Sequence, residues 1–155
     1  ITTRLVGSEM CIRDSPYTMF IGSGALWGET ILFSMCILEE MQWKRTRYIT
    51  SADFFHGTLE LVEPGVPVFL FMGEDENRKL DERVRAFLTR GVTGDTDINI
   101  IDTAEFAIPG LDDEFRVIVS PWILTVLVTD RLARYYETVT KHNLNYRRYY
   151  HQFDY

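Results

Sequence analysis

The sequence predicts an α/β domain, a three-layer sandwich in which a mainly parallel sheet is flanked by helices. Three observations predict it. Short strand-like runs at 17–21, 47–50, 66–72 and 98–101 alternate with helix-length segments, the order expected when strands are joined by crossover helices. The run 66–72 is apolar throughout, as a strand covered on both faces must be. In 78–89, Leu80, Val84, Phe87 and Leu88 form one stripe and charges fill the rest, the pattern of a helix lying on a sheet.

Composition narrows the class. A chain of 155 residues, 46% hydrophobic and 25% charged, is long enough for a proper core and reads as one domain. A net charge of −7 without a basic run argues against nucleic acid and anionic membrane as partners. No apolar run reaches the roughly 18 residues that a membrane span needs. Cys11 and Cys36 give no disulfide framework and fit a reducing cytoplasm. His56, His142 and His151 show no paired ligand spacing, so a metal site is not expected.

The elements follow in order. Residues 1–15 show neither helical nor strand periodicity and read as a translated sequencing-adapter leader, leaving 16–155 as the native domain. The strand at 17–21 runs into Gly22, Ser23 and Gly24, a tight turn before a helix. Such a turn can cradle a phosphate, and the same glycines also serve close packing. Residues 25–38 form a strongly apolar, buried helix that closes on Glu39 and Glu40. The strand at 47–50 leads to Ser51-Ala52-Asp53-Phe54-Phe55-His56-Gly57, a turn presenting one histidine beside a glycine. A helical turn or two is expected at 58–62, then a Glu63-Pro64-Gly65 turn before the central strand. After the amphipathic helix come a loop at 91–95 and a strand at 98–101 ending on acidic Asp102. Residues 103–114 read as irregular and 115–119 as a last short strand, and Pro121 opens a long helix to about residue 141.

Chemistry points to the end of the first helix. At 3.6 residues per turn, Glu40 shares a face with Phe33, Cys36 and Ile37. Partial desolvation and the helix-end carbonyls both favour the neutral acid, which suits a general base near neutral pH. Glu39 lies about 100° round the helix, so geometry barely separates the two carboxylates, and both also fit solvated residues ending a helix. In the tail, Arg147 and Arg148 stand among tyrosines. There they either pair with a substrate carboxylate or phosphate, or pack as stacked Arg and Tyr.

Several of these stretches, in register, carry a resemblance. Tyr17-Thr18-Met19, Cys36-Ile37-Leu38, Glu40-Met41-Gln42-Trp43, Phe55-His56-Gly57, Gly65-Val66-Pro67, Glu82-Arg83, Arg147-Arg148-Tyr149 and the closing Tyr155 resemble the second half of sugar isomerase (SIS) domain enzymes. The match is closest to the fructosamine 6-phosphate deglycases and covers about 16–155. It implies a SIS-type, flavodoxin-like C-terminal subdomain of a two-subdomain enzyme whose N-terminal subdomain is missing here. It implies cleavage of phosphorylated Amadori products to glucose 6-phosphate and a free amine, with no metal or organic cofactor. By position, Glu40 would be the general base and His56 the ring-opening acid/base. Gly22, Ser23, Gly24, Arg147 and Arg148 are candidate substrate contacts.

The resemblance further implies a homodimer or higher homo-oligomer in which the histidine crosses the subunit interface. Thr58 departs from it, because the family commonly has proline after the His-Gly pair. Two other readings use the same residues: an aldose–ketose isomerase acting on a simple hexose phosphate, and a non-catalytic sugar-phosphate-sensing module. The pairing of Glu40 with His56 argues against the module, because binding alone needs neither.

Overall fold

A computed structural model describes residues 15–154. The leader expected at 1–15 lies outside the described residues apart from Ser15, as do Cys11 and Tyr155. Strand β1 (Thr18–Ile21) passes through a tight turn into helix α1, which starts at Trp27–Ile31 and continues as a π-wound segment, Leu32–Met41. Strand β2 (Thr46–Ile49), β3 (Val68–Met72), helix α2 (Arg78–Leu88) and β4 (Ile98–Asp102) follow. The chain then runs into helix α3, built from three consecutive segments, Arg116–Leu124, Thr125–Leu132 and Ala133–Thr140.

The four strands are all parallel, in the order β2-β1-β3-β4. Two apolar clusters cover the two faces. On one face α1 and α3 pack through Phe33, Leu38, Leu124 and Tyr136 against Phe20, Phe69 and Phe71. On the other, α2 and the turn around Phe54 pack against Met19, Ile21, Val68 and Leu70. The alternation along β1 and β3 assigns each side chain to its face, and the result is the expected three-layer α/β sandwich. Among the described residues no helix is long and apolar enough to cross a membrane.

One element differs from expectation. Residues 115–119 are not a strand; Phe115 ends a 3-10 turn (Asp113–Phe115), 116–119 start α3, and Pro121 lies inside that helix rather than at its opening. The β-branched run Val117-Ile118-Val119 and the proline together read locally as strand and stop. The structure accommodates the proline because the buried Ser120 hydroxyl donates to Val117 O at 3.1 Å. That carbonyl is the one Pro121, lacking an N–H, leaves without its helical donor.

Along α3 the π winding matches the burial pattern: Ser120, Leu124, Val128, Leu132 and Tyr136 recur every four residues, while α1 buries Thr30, Phe33, Ser34, Ile37 and Leu38. A strict α-helix would rotate such a row by about 40° per step, swinging it off the sheet. Segments with i→i+5 bonds turn less per residue and bring the row back.

Candidate functional site

Glu40 lies in the last turn of α1, where Gln42 N donates to Ile37 O at 3.1 Å, an i→i−5 bond. Its carboxylate Oε1 is held by Arg147 Nε at 2.8 Å, with the two side chains 26% and 17% exposed. Glu39 instead faces solvent and accepts from Thr46 Oγ1 at 2.5 Å. The winding that lifts Glu40 into partial shelter leaves Glu39 outside, a distinction that spacing alone left open. Glu40's charge reaches Cys36, whose thiol is raised first by burial and then by that carboxylate.

Beside Glu40 opens a cavity of about 650 Å³. Lys44, Arg45, Arg147 and Arg148 line it with Glu39 and Glu40, and Trp43, Tyr149 and Tyr150 supply aromatic walls. The structure therefore brings together Glu40, Arg147 and Arg148 of the predicted residues. The tail reaches the site as a strap. Thr140 Oγ1 donates to Gln42 Oε1 at 2.7 Å, and Gln42 Nε2 donates to His142 O at 2.6 Å. Arg147 Nη1 is fixed by Leu144 O and Tyr146 O at 2.7 and 2.9 Å. Gln42 is buried, so both ends of its amide need partners, and the strap supplies them.

His56 is exposed in the turn Phe54–His56. Phe54 anchors that turn in the second core, edge-on to Phe55 and Phe87. Gly57 closes it at φ +126°, a conformation that favours glycine. Thr58, at the position where proline was expected, accepts from Arg47 Nη2 at 3.2 Å and ties the turn back to β2. Within one chain the structure does not bring His56 and Glu40 together. Ile37 and Leu38, beside Glu40, pack on one face of the sheet, while Phe54 and Phe55, beside His56, pack on the other.

Gly22, Ser23 and Gly24 occupy the switch point between β1 and β3, where open α/β sheets place ligands. Here the turn holds the chain's own Asp75. Ala25 N donates to Asp75 Oδ2 at 2.5 Å, and a Cβ on Gly24 would strike the same carboxylate. Ser23 is buried and its Oγ accepts from Ser51 N at 2.8 Å. Ser51 Oγ in turn donates to Asp81 Oδ1 at 2.6 Å, and Gly73 N donates to Asp81 Oδ2 at 3.3 Å. Burial pushes the Asp81 carboxyl up to about 6, against the pull of its Ser51 and Gly73 hydrogen bonds. Neither Asp75 nor Asp81 belongs to a motif that the sequence displays. Asp81 was findable, because it falls in line with Val84 and Leu88 on the apolar stripe of α2. Among the described residues, no group of three His, Cys, Asp or Glu side chains could hold a metal ion.

No protein-family model matches the sequence. The chain is 32% identical over 136 residues to the fructosamine deglycase FrlB of Bacillus subtilis (strain 168), covering 86% of this chain and 39% of that protein. It is 34% identical over 116 residues to the fructoselysine 6-phosphate deglycase of Escherichia coli (strain K12), covering 73% of this chain and 31% of that enzyme. A solved Bacillus subtilis protein, described provisionally as a phosphosugar isomerase, superposes with a TM-score of 0.83 at 26% identity, over 97% of this chain and 45% of its own. The chain thus spans well under half the length of the curated relatives it matches.

Proposed function

Since by sequence and fold the chain belongs with the sugar isomerase (SIS) phosphosugar enzymes, we propose that it carries the catalytic base of a fructosamine 6-phosphate deglycase. The observation that supports this is Glu40, half-sheltered at a 650 Å³ cavity and held through one oxygen by Arg147. A carboxylate so oriented is placed for proton abstraction next to a carbonyl. His56 opens the sugar ring by moving a proton between ring oxygen and anomeric hydroxyl. Glu40 takes the C1 proton of the open-chain aminoketose, giving an enaminol, and a proton returned at C2 gives the imine. Water then releases glucose 6-phosphate and the amine.

Because His56 and Glu40 flank opposite faces of the sheet, the histidine of each site comes from a second copy in a symmetric dimer. A companion N-terminal subdomain supplies the phosphate contacts, in keeping with the greater length of the relatives. The test is release of glucose 6-phosphate from fructosyl-amino acid 6-phosphates by the chain joined to that subdomain. Glu40→Gln is expected to lower kcat by about 10²–10⁴-fold, the usual contribution of a general base. Conversion of fructose 6-phosphate in place of the adducts would establish an isomerase, and silence on every substrate a sensing module.

A further inference from the structure

Trp43 follows the C-terminal cap of α1 with φ +53°, where helices favour glycine. A bulky aromatic in this region is strained, and such strain persists where the side chain is needed for something else. Arg148 lies over the indole, its guanidinium carbon 4.1 Å from the ring centroid, and the His142 ring meets it steeply with centroids 4.3 Å apart. The strap that carries Arg148 is anchored on Gln42, the residue before Trp43. A stacked guanidinium uses its face on the ring and keeps its in-plane N–H groups for an anion.

The charge of the cavity agrees. Four of its side chains are cationic and two anionic, in a chain of net charge −7. Among the described residues, the ion pairs include Arg147 but neither Arg45 nor Arg148. We infer that Arg148, stacked on Trp43, is a subsite for the carboxylate of the amino-acid part of the substrate. The identity of that anion rests on the deglycase reading. Glu40 acts at C1, the carbon that bears the amine, so an α-carboxylate on that amine lies close to the base. The phosphate on C6 lies at the other end of the sugar.

The test measures binding by isothermal titration calorimetry to the full 155-residue chain with three probes: fructosyl-glycine 6-phosphate, fructosyl-glycinamide 6-phosphate and inorganic phosphate. The carboxylate adduct is expected to bind about tenfold tighter than the neutral amide, the scale of one charge-assisted hydrogen-bonded pair. Arg148→Gln should erase that preference. Trp43→Gly, which relieves the backbone strain and so leaves the cap intact, should erase it too. Equal binding of the two adducts, a preference that survives Arg148→Gln, or no binding of either would overturn the inference. Competition by inorganic phosphate as strong as by the carboxylate adduct would overturn it as well. Glucose 6-phosphate release, assayed with the chain joined to the companion subdomain, reports on the deglycase reading separately: a carboxylate preference without release there would leave the subsite standing and remove the reaction.

Discussion

Asp81 illustrates how one side chain organises the far edge of the sheet. It is 1% exposed, yet it joins Ser51, five residues before His56, to Gly73 at the end of β3. Its carboxyl is raised from 3.8 to about 6, first by burial and then by nearby Asp75, with Ser51, Gly73 and Arg78 opposing. A folded-state value above the unfolded one means that the native protein holds the proton more tightly. That contribution to stability is fully present below about pH 4 and is lost as pH rises through about 6. Two units correspond to about 3 kcal/mol between pH 4 and pH 7. Urea unfolding at several pH values should show Asp81→Asn flattening this dependence, so that wild type gains on the variant as pH falls. Parallel curves for the two proteins would refute the assignment.

Helix α3 shows how an element can hold together against its local signals. Ser120→Ala would leave Val117 O, already without a donor from Pro121, unsatisfied next to the core. The expected cost is about 1 kcal/mol, the low end of the penalty for an unsatisfied acceptor because Val117 is half-buried, read as a lower denaturation midpoint with unchanged slope. No change in midpoint would mean that the hydroxyl does not support the carbonyl. The same helix shows why one part of the fold was not legible. The strands and α2 announced themselves by apolar runs and by the stripe Leu80, Val84, Leu88, all local patterns. At 115–121 local chemistry favours strand and break, so the helix expected from Pro121 starts five residues earlier, at Arg116, and the four-residue row from Ser120 to Tyr136 runs through the proline. That row fits neither a period of 2 nor one of 3.6, because the π winding is part of the solution.

At the scale of the whole molecule, the site was legible as residues and illegible as geometry. Glu40 ends an apolar helix, His56 precedes a glycine turn and the arginines sit in an aromatic tail, and each is a local signal. That Asp75 would fill the glycine turn fifty residues away, or that Glu40 and His56 would flank opposite faces, depends on contacts that no periodicity encodes. The second of these separates two architectures. If each site takes Glu40 from one copy and His56 from another, Glu40→Gln and His56→Ala variants are each inactive as homodimers. A hybrid dimer of the two regains one intact site, with the base from one chain and the histidine from its partner. An equal, freely exchanging mixture makes hybrids half of all dimers, so activity should recover to about a quarter of wild type in a symmetric dimer. The measurement is glucose 6-phosphate release after co-refolding the two variants, each joined to the companion subdomain. Activity no higher than that of the separate variants would place both residues in one chain's site and require the turn at Phe54–His56 to swing around the β2 edge.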